Sequence, residues 1–372
     1  GQSSGFPYGG QGGFTISTSL VAADLKPELT AGYEVGLDVS LFSNRIKGAL
    51  TYYDSHTKNQ TLSTGVSSAT GFSSYLLNVG ETSSKGIEAS VTVVPYKSDN
   101  WFISLGTVYT YYDNKVVSIN EDIDKLAIAT YGSGAGAYAI AGEQFPVIMG
   151  TTYNRDPQGR VIVNAKTGYP SANSQLSILG RASAKQELGL NLEVSYKSLT
   201  FAATAAYRGG GYMYNSLAST YDFSGAGANT VLYERERFVF PNSVYEDPTK
   251  PGSYIANTNI TVREGGSAYW PQSAYRSSIH ENYITKSDFW KVREMSLSYA
   301  LPTKWFEGGK LGVQGVNISV QGRNLLAWLP PTQVYTDPEF SAAGADSNGI
   351  GLADLGQMPP SRYYGGTITI KF

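Results

Sequence analysis

Across 372 residues, Asp, Glu, Lys and Arg make up only 16%, and the 28 basic residues nearly balance the 30 acidic ones. No basic field exists to draw in a polyphosphate, so nucleic acid is excluded as a partner. Cysteine is absent and His56 and His280 are the two histidines, which removes disulfides, thiolate nucleophiles, zinc-finger spacings and any multi-histidine metal centre within this chain.

Residues 1–28 are expected to form an extracellular loop that precedes the first strand. They lack the basic start and apolar core of a secretory signal. No apolar run approaches the roughly 18 residues of a membrane-spanning helix, a test that is silent about strands. From residue 29 the chain falls into a period of two. In 33–41, Tyr33, Val35, Leu37, Val39 and Leu41 alternate with Glu34, Gly36, Asp38 and Ser40. The strand at 45–59 sets Ile46, Leu50 and Tyr52 against Arg45, Lys47 and Thr51. In 86–94, Ile87, Ala89, Val91 and Val93 share a face. The stretch 101–112, WFISLGTVYTYY, is partly apolar on both faces. The stretch 187–197, ELGLNLEVSYK, alternates without a break over 11 residues. That is the signature of a strand with one apolar face, and its length matches the 9–11 residues a tilted strand needs to cross a bilayer.

Continuing the pattern predicts nine strands, near 29–42, 45–59, 76–94, 101–116, 186–196, 199–208, 286–301 (the least regular), 314–325 and 361–372. Their connections alternate between short turns and longer loops, the longest being 117–185, 209–285 and 326–360. In a compact soluble domain such loops would count against the assignment. In an outer-membrane barrel, short periplasmic turns alternate with long extracellular loops. The expected fold is therefore all-β, a transmembrane antiparallel β-barrel. A soluble antiparallel protein with one wet face is the alternative, but it would need a second sheet, and no matching inward set is visible. Nine is odd, whereas single-chain bacterial barrels have even numbers and a membrane-embedded sheet must close. The chain reads as the carboxyl-terminal part of a larger barrel, with Phe372 at the periplasmic side.

Motifs that could carry covalent chemistry are weak. YGSGAGAYAIAG (131–142) lacks the Lys-Ser/Thr of a phosphate loop. EDID (121–124) lacks the spacing and terminal Glu of a calcium loop. His280-Glu281 reads as a structural pair, and no nucleophile elbow or Ser/His/Asp set is present. No catalytic residue, metal ligand or cofactor is assigned, and the protein is expected not to be an enzyme. The long loops instead carry aromatic clusters, RGGGYMYN (208–215) and GGSAYWPQSAY (265–275). Tyr212, Tyr214, Tyr269 and Trp270 are candidates for substrate contact, because aromatic faces suit sugar C–H surfaces or peptide side chains. The competing role is to pack the loops together or to dock a lid.

Several phrases, in order along the chain, resemble SusC/RagA-type TonB-dependent transporters. They include LKPELTAGYEVGLDVSLFSNRIKGALTYYDSHTKNQ (25–60), LLNVGETSSKGIEASV (76–91), YNRDPQGRVIVNAKTGYP (153–170), ERFVFPNSV (236–244), ENYITKSDFWKVREMSLSYALP (281–302) and GRNLLAWLP (322–330). The resemblance implies a 22-stranded barrel occluded by an amino-terminal plug, a SusD-like surface lipoprotein as lid, and energy from TonB. The implied substrate is a nutrient too large for porins, an oligosaccharide or a peptide. Residues 29–372 would be the last part of that barrel, with plug and TonB box outside this chain. GRN at 322–324 and Asp337-Pro338-Glu339-Phe340 read as wall and loop-packing elements. At the terminus, Phe372, Ile370, Ile368 and Tyr364 share one face and look like the signal read by the barrel-assembly machinery in a protein surrounded by outer-membrane lipid. A passive porin, a barrel enzyme and a surface-binding or secretion barrel are the alternatives.

Overall fold

The computed structural model describes residues 17–372 apart from 79, 120–122, 132–133, 263–268, 271–275, 307–311, 340, 343–348, 355, 357 and 359. Nine long strands form one sheet: β1 (Leu29–Leu41), β2 (Ile46–Lys58), β3 (Glu81–Lys97), β4 (Trp101–Ser118), β5 (Gln186–Tyr196), β6 (Leu199–Gly209), β7 (Phe289–Ala300), β8 (Gly315–Trp328) and β9 (Tyr363–Lys371). Spatial order follows chain order, and every neighbouring pair is antiparallel.

All nine predicted strands are present, and the departures have local causes. The third begins at Glu81 rather than 76, because Ser74–Asn78 leaves the wall to join a small sheet with Thr61–Gly65 and Ser19–Val21. The break falls beside Gly80, whose φ is 56° and where a Cβ would lie 1.7 Å from the Ser118 carbonyl oxygen, so no other residue fits. The seventh begins at Phe289, since Ile284–Lys286 pairs with Tyr212–Asn215 instead. Its irregularity is a bulge between Val292 and Glu294, where the register with β8 shifts. The expected loop before residue 29 contains the short strand Ser19–Val21, parallel to Ser74–Leu76; residues 1–16 lie outside the described part.

The period of two becomes a two-faced wall. Val35 is 67% exposed and Leu190 37%, and Leu37, Leu105, Leu297, Ile318, Val320, Ile368 and Ile370 are likewise exposed. Among the described residues no second sheet stacks on this apolar face. At the short-turn rim it ends in aromatic rings, Trp101 against Tyr196 with centroids 4.5 Å apart. Near the long-loop rim Tyr207 meets Trp290 at 4.9 Å. From Leu199 to Tyr207 the strand runs about 27 Å, which at a tilt of about 40° covers about 21 Å of the ~25 Å apolar band between aromatic girdles. The other face is polar, with Glu294 accepting from Arg323 Nε at 3.0 Å. β1 and β9 each have a neighbour on one side only, so the sheet is a portion of a barrel.

Candidate functional site

The compact cores lie in the loops, all at one rim of the wall. The first long connection builds a four-stranded sheet ordered Ser177–Arg181, Val147–Gly150, Gly136–Ile140, Lys125–Thr130. This places Gly136–Ile140 of the Gly-rich stretch in a strand, not in a phosphate loop; residues 132 and 133 are outside the described part. The second connection opens with Tyr212–Asn215, followed by helix α1 (Ser216–Ser224). Asn215 caps α1 by accepting from the Ala218 N–H at 3.0 Å, and Gly225 closes it in the left-handed region.

The strand Tyr212–Asn215 holds the connections together. Ile284–Lys286 pairs on one side of it and Leu352–Ala353, from the third long loop, on the other. Tyr131, from the first loop, stacks on Tyr214 with centroids 6.3 Å apart and donates from its hydroxyl to the Ile350 carbonyl. Tyr214 is thus buried where three loops meet, and burial pushes its phenol up to about 12. Tyr212, partly buried, lies against Gly180, where a Cβ would come within 2.7 Å of its ring.

Tyr269 and Trp270 sit in a separate cluster with Tyr169, Phe238 and Val262, at 2% and 5% exposure. Behind them a polar network gathers around the fully buried Asp222. The Arg276 guanidinium lies over the Trp270 ring at 4.9 Å, donates to Asp222 Oδ2 at 3.2 Å and to Asn282 Oδ1 at 2.7 Å. Tyr283 also donates to Asp222 Oδ2, at 3.2 Å. Burial pushes the phenols of Tyr269 and Tyr283 well up, so both stay neutral. Arg276 and Asp222 belong to no sequence motif that would mark them.

His280 and Glu281 face different partners, so they form no acid–base pair. The His280 Nδ1 accepts from the Thr151 N–H at 3.1 Å, and burial lowers its pKa. Glu281 accepts from Arg155 at 2.8 Å and from the Tyr153 N–H at 3.1 Å. Residues 121 and 122 of EDID lie outside the described part. The DPEF phrase supplies an ion network instead. Lys291, on the polar face of β7 and 1% exposed, donates to Asp337 at 2.5 and 2.6 Å and to Glu339 at 2.6 Å. Arg293 reaches the same Glu339 at 2.6 Å. Burial opposes the Glu339 charge, but these two cations outweigh it and hold the carboxyl below its ordinary range. Phe340 is outside the described part.

Two polar hollows open on the wall's polar face beneath this layer. One, about 310 Å³, is lined by Gln60, Ser84, Tyr112, Asn114 and Ser183. The other, about 270 Å³, lies between Glu187, Arg208, Arg293 and Glu339. Their donors and acceptors suit non-covalent contact with a hydrogen-bonding solute. The alternation marks such residues as facing inward, yet loop closure over them left no trace in sequence. Among the described residues no His, Asp and Glu side chains gather as metal ligands would.

The family described as "TonB dependent receptor-like, beta-barrel" matches residues 1–325. TonB-dependent receptor P26 of Formosa agariphila is 25% identical over 364 residues, covering 92% of this chain and 34% of the relative. TonB-dependent receptor P3 of the same organism is 23% identical over 382 residues, covering 96% and 35%. The chain therefore spans about a third of the length of these curated relatives. Among solved structures, the RagAB peptide transporter superposes with TM-score 0.68 at 18% identity, over 93% of this chain and 35% of that one. RagAB in its "open-open" state, described as a peptide importer, gives 0.66 at 19% identity, over 94% and 35%.

Proposed function

This chain belongs to the TonB-dependent receptor β-barrel family, and we propose on that premise that it forms the carboxyl-terminal wall and mouth of an active outer-membrane importer. Residues 29–372 supply barrel strands and residues 1–28 the approach to the first of them; plug and TonB box belong to the rest of the protein. The observation that carries this reading is the one-sided wall, with exposed apolar side chains on one face and layered long loops at one rim. In that orientation the short turns and Phe372 face the periplasm, and the loop layer faces the exterior.

The cargo is an oligosaccharide or peptide too large for porins; the RagAB neighbours, described as a peptide transporter and importer, favour the peptide. A SusD-like lipoprotein covers the loop layer, and TonB supplies energy through the plug. Tyr214, Tyr269 and Trp270 shape the mouth by packing it, a role their burial supports, while the less buried Tyr212 is the candidate for direct contact. Phe372, Ile370, Ile368 and Tyr364 act as the assembly signal. The protein alters no covalent bond of its cargo.

Cells carrying the full-length protein should take up oligosaccharide or peptide as their sole nutrient only while TonB and the proton gradient are intact. Uptake that persists after either is removed, with an open conductance in planar bilayers, would instead mark a passive porin.

A further inference from the structure

The convex apolar face of the wall is not uniformly bulky. Register aligns outward side chains in rows that cross the sheet. One row runs Val91, Thr107, Leu190, Ala205, Val292, Leu326, and the next runs Val93, Leu105, Leu192, Ala203, Met295, Gly322. On a convex surface a hollow forms only where side chains are short. Ala203 and Ala205, successive outward residues of β6, lie between Leu192 and Met295 and between Leu190 and Val292. They floor a furrow of about 560 Å³ whose lining is almost wholly apolar. A second hollow of about 600 Å³ shares Phe201 and Met295 with it and continues over Gly322 and Gly366. Each volume falls in the range of roughly 300–1,000 Å³ of ligand sites.

The turn that joins β5 to β6 carries the complementary charge. Lys197 occupies a left-handed position, φ 52°, and its N–H donates to the Asn100 carbonyl at 2.7 Å, tying this turn to the next. Its ammonium lies 5.3 Å from the centroid of the outward ring of Tyr196, which in turn meets Trp101. The cation is thereby held on the apolar side of the wall, at the girdle. Lys97 adds a second positive charge and Asp99 one negative charge at the same rim. From Leu199, where the strand leaves this turn, to Ala203 is four residues, about 14 Å of strand. At a tilt of about 40° that reaches about a third of the way through a ~30 Å hydrocarbon core.

We propose that this hairpin is a specific site for one phospholipid of the leaflet at the short-turn rim. Its phosphate is held by Lys197 above the Tyr196 and Trp101 rings, and one acyl chain lies in the Ala203–Ala205 furrow. The site rests on the reading of the wall as membrane-embedded.

Native mass spectrometry of the full-length transporter in detergent, with added palmitoyl-oleoyl-phosphatidylglycerol, tests it. The wild type should keep one lipid at collision energies that strip the others. The furrow-filling variant A203L/A205L should lose it, and the exposed-turn variant Lys197→Gln should keep about fivefold less, the effect expected of one lysine at an anionic surface. Retention equal to wild type in both variants, each shown to be a folded barrel by heat-modifiable gel mobility, overturns the lipid site alone. Retention of lipid A in place of the phospholipid also overturns it. A wild-type protein that neither fractionates with membranes nor shows heat-modifiable mobility overturns the membrane reading beneath it.

Discussion

Replacing Lys291 by Met should release the third long loop from the wall. The side chain is fully enclosed, with Asp337 9% and Glu339 24% exposed on either side of it. Together with Arg293 the set is neutral, two cations against two carboxylates. Met keeps most of the volume and removes the charge, leaving Asp337 enclosed without a cation while Arg293 still serves Glu339. Breaking an enclosed pair from one side costs about 3–5 kcal/mol. The Arg293–Glu339 contact is discounted, because Arg293 is 38% exposed and water screens it. A loss of about 3 kcal/mol raises the open population of the loop by roughly 150-fold, one factor of ten per 1.4 kcal/mol. Hydrogen exchange of peptides covering 329–342 in the full-length protein should speed up by that order, with β1 to β6 unchanged. The double variant Lys291→Met/Asp337→Asn should recover most of the protection, since the amide carries no stranded charge. Exchange in Lys291→Met that matches the wild type would refute the anchoring role. So would a double variant as labile as the single one.

Two further outcomes follow from the same geometry. Leu190→Arg places a cation on the outward face and should cost about 2–4 kcal/mol in urea unfolding of the barrel from lipid. Asn191→Arg, one residue on and facing the polar side, should change that midpoint little. Burial lowers the His280 pKa, so the imidazole is neutral in the folded loop layer. Its contribution to stability is complete above the ordinary imidazole value of about 6.5 and is lost as pH falls from there through the folded value. Exchange of residues 147–151 should therefore quicken below about pH 6.5, and His280→Gln should flatten that dependence.

The wall was legible because one solvent boundary dictates it. With lipid on one side and a polar interior on the other, each strand must alternate, and Leu188 to Tyr196 or Tyr33 to Leu41 record that requirement residue by residue. The SusC/RagA-like phrases pointed to the same family that matches residues 1–325. Limits were misplaced where the chain leaves the wall without changing its pattern. Leu76-Leu77 continues the apolar run, yet Gly80 has already diverted it. Lys286 looks like the start of β7, but pairs with Tyr212 instead. The loop layer was opaque for another reason: its interior is held by single polar residues brought together over long separations. Arg276 meets Asp222 across 54 positions and Lys291 meets Asp337 across 46, with no periodicity to announce either. Aromatic clustering singles out Tyr212, Tyr214, Tyr269 and Trp270 as candidates, but composition does not tell a ring that touches solute from one that packs loops.

That distinction bears on where selectivity resides. No one of the three long connections encloses Tyr214 by itself: its strand is flanked by Ile284–Lys286 and by Leu352–Ala353, and its ring by Tyr131. A change in any one connection therefore shifts surfaces contributed by the others, because packed interiors move as units rather than side chain by side chain. The polar hollows at Ser84–Asn114 and Arg208–Glu339 lie directly under that layer and borrow Ser183, Ile350 and Glu339 from the loops themselves. On the proposed import reading, cargo preference should accordingly follow the joint fold of the three loops. Exchanging one of them for a relative's would disturb it more than replacing a single exposed aromatic.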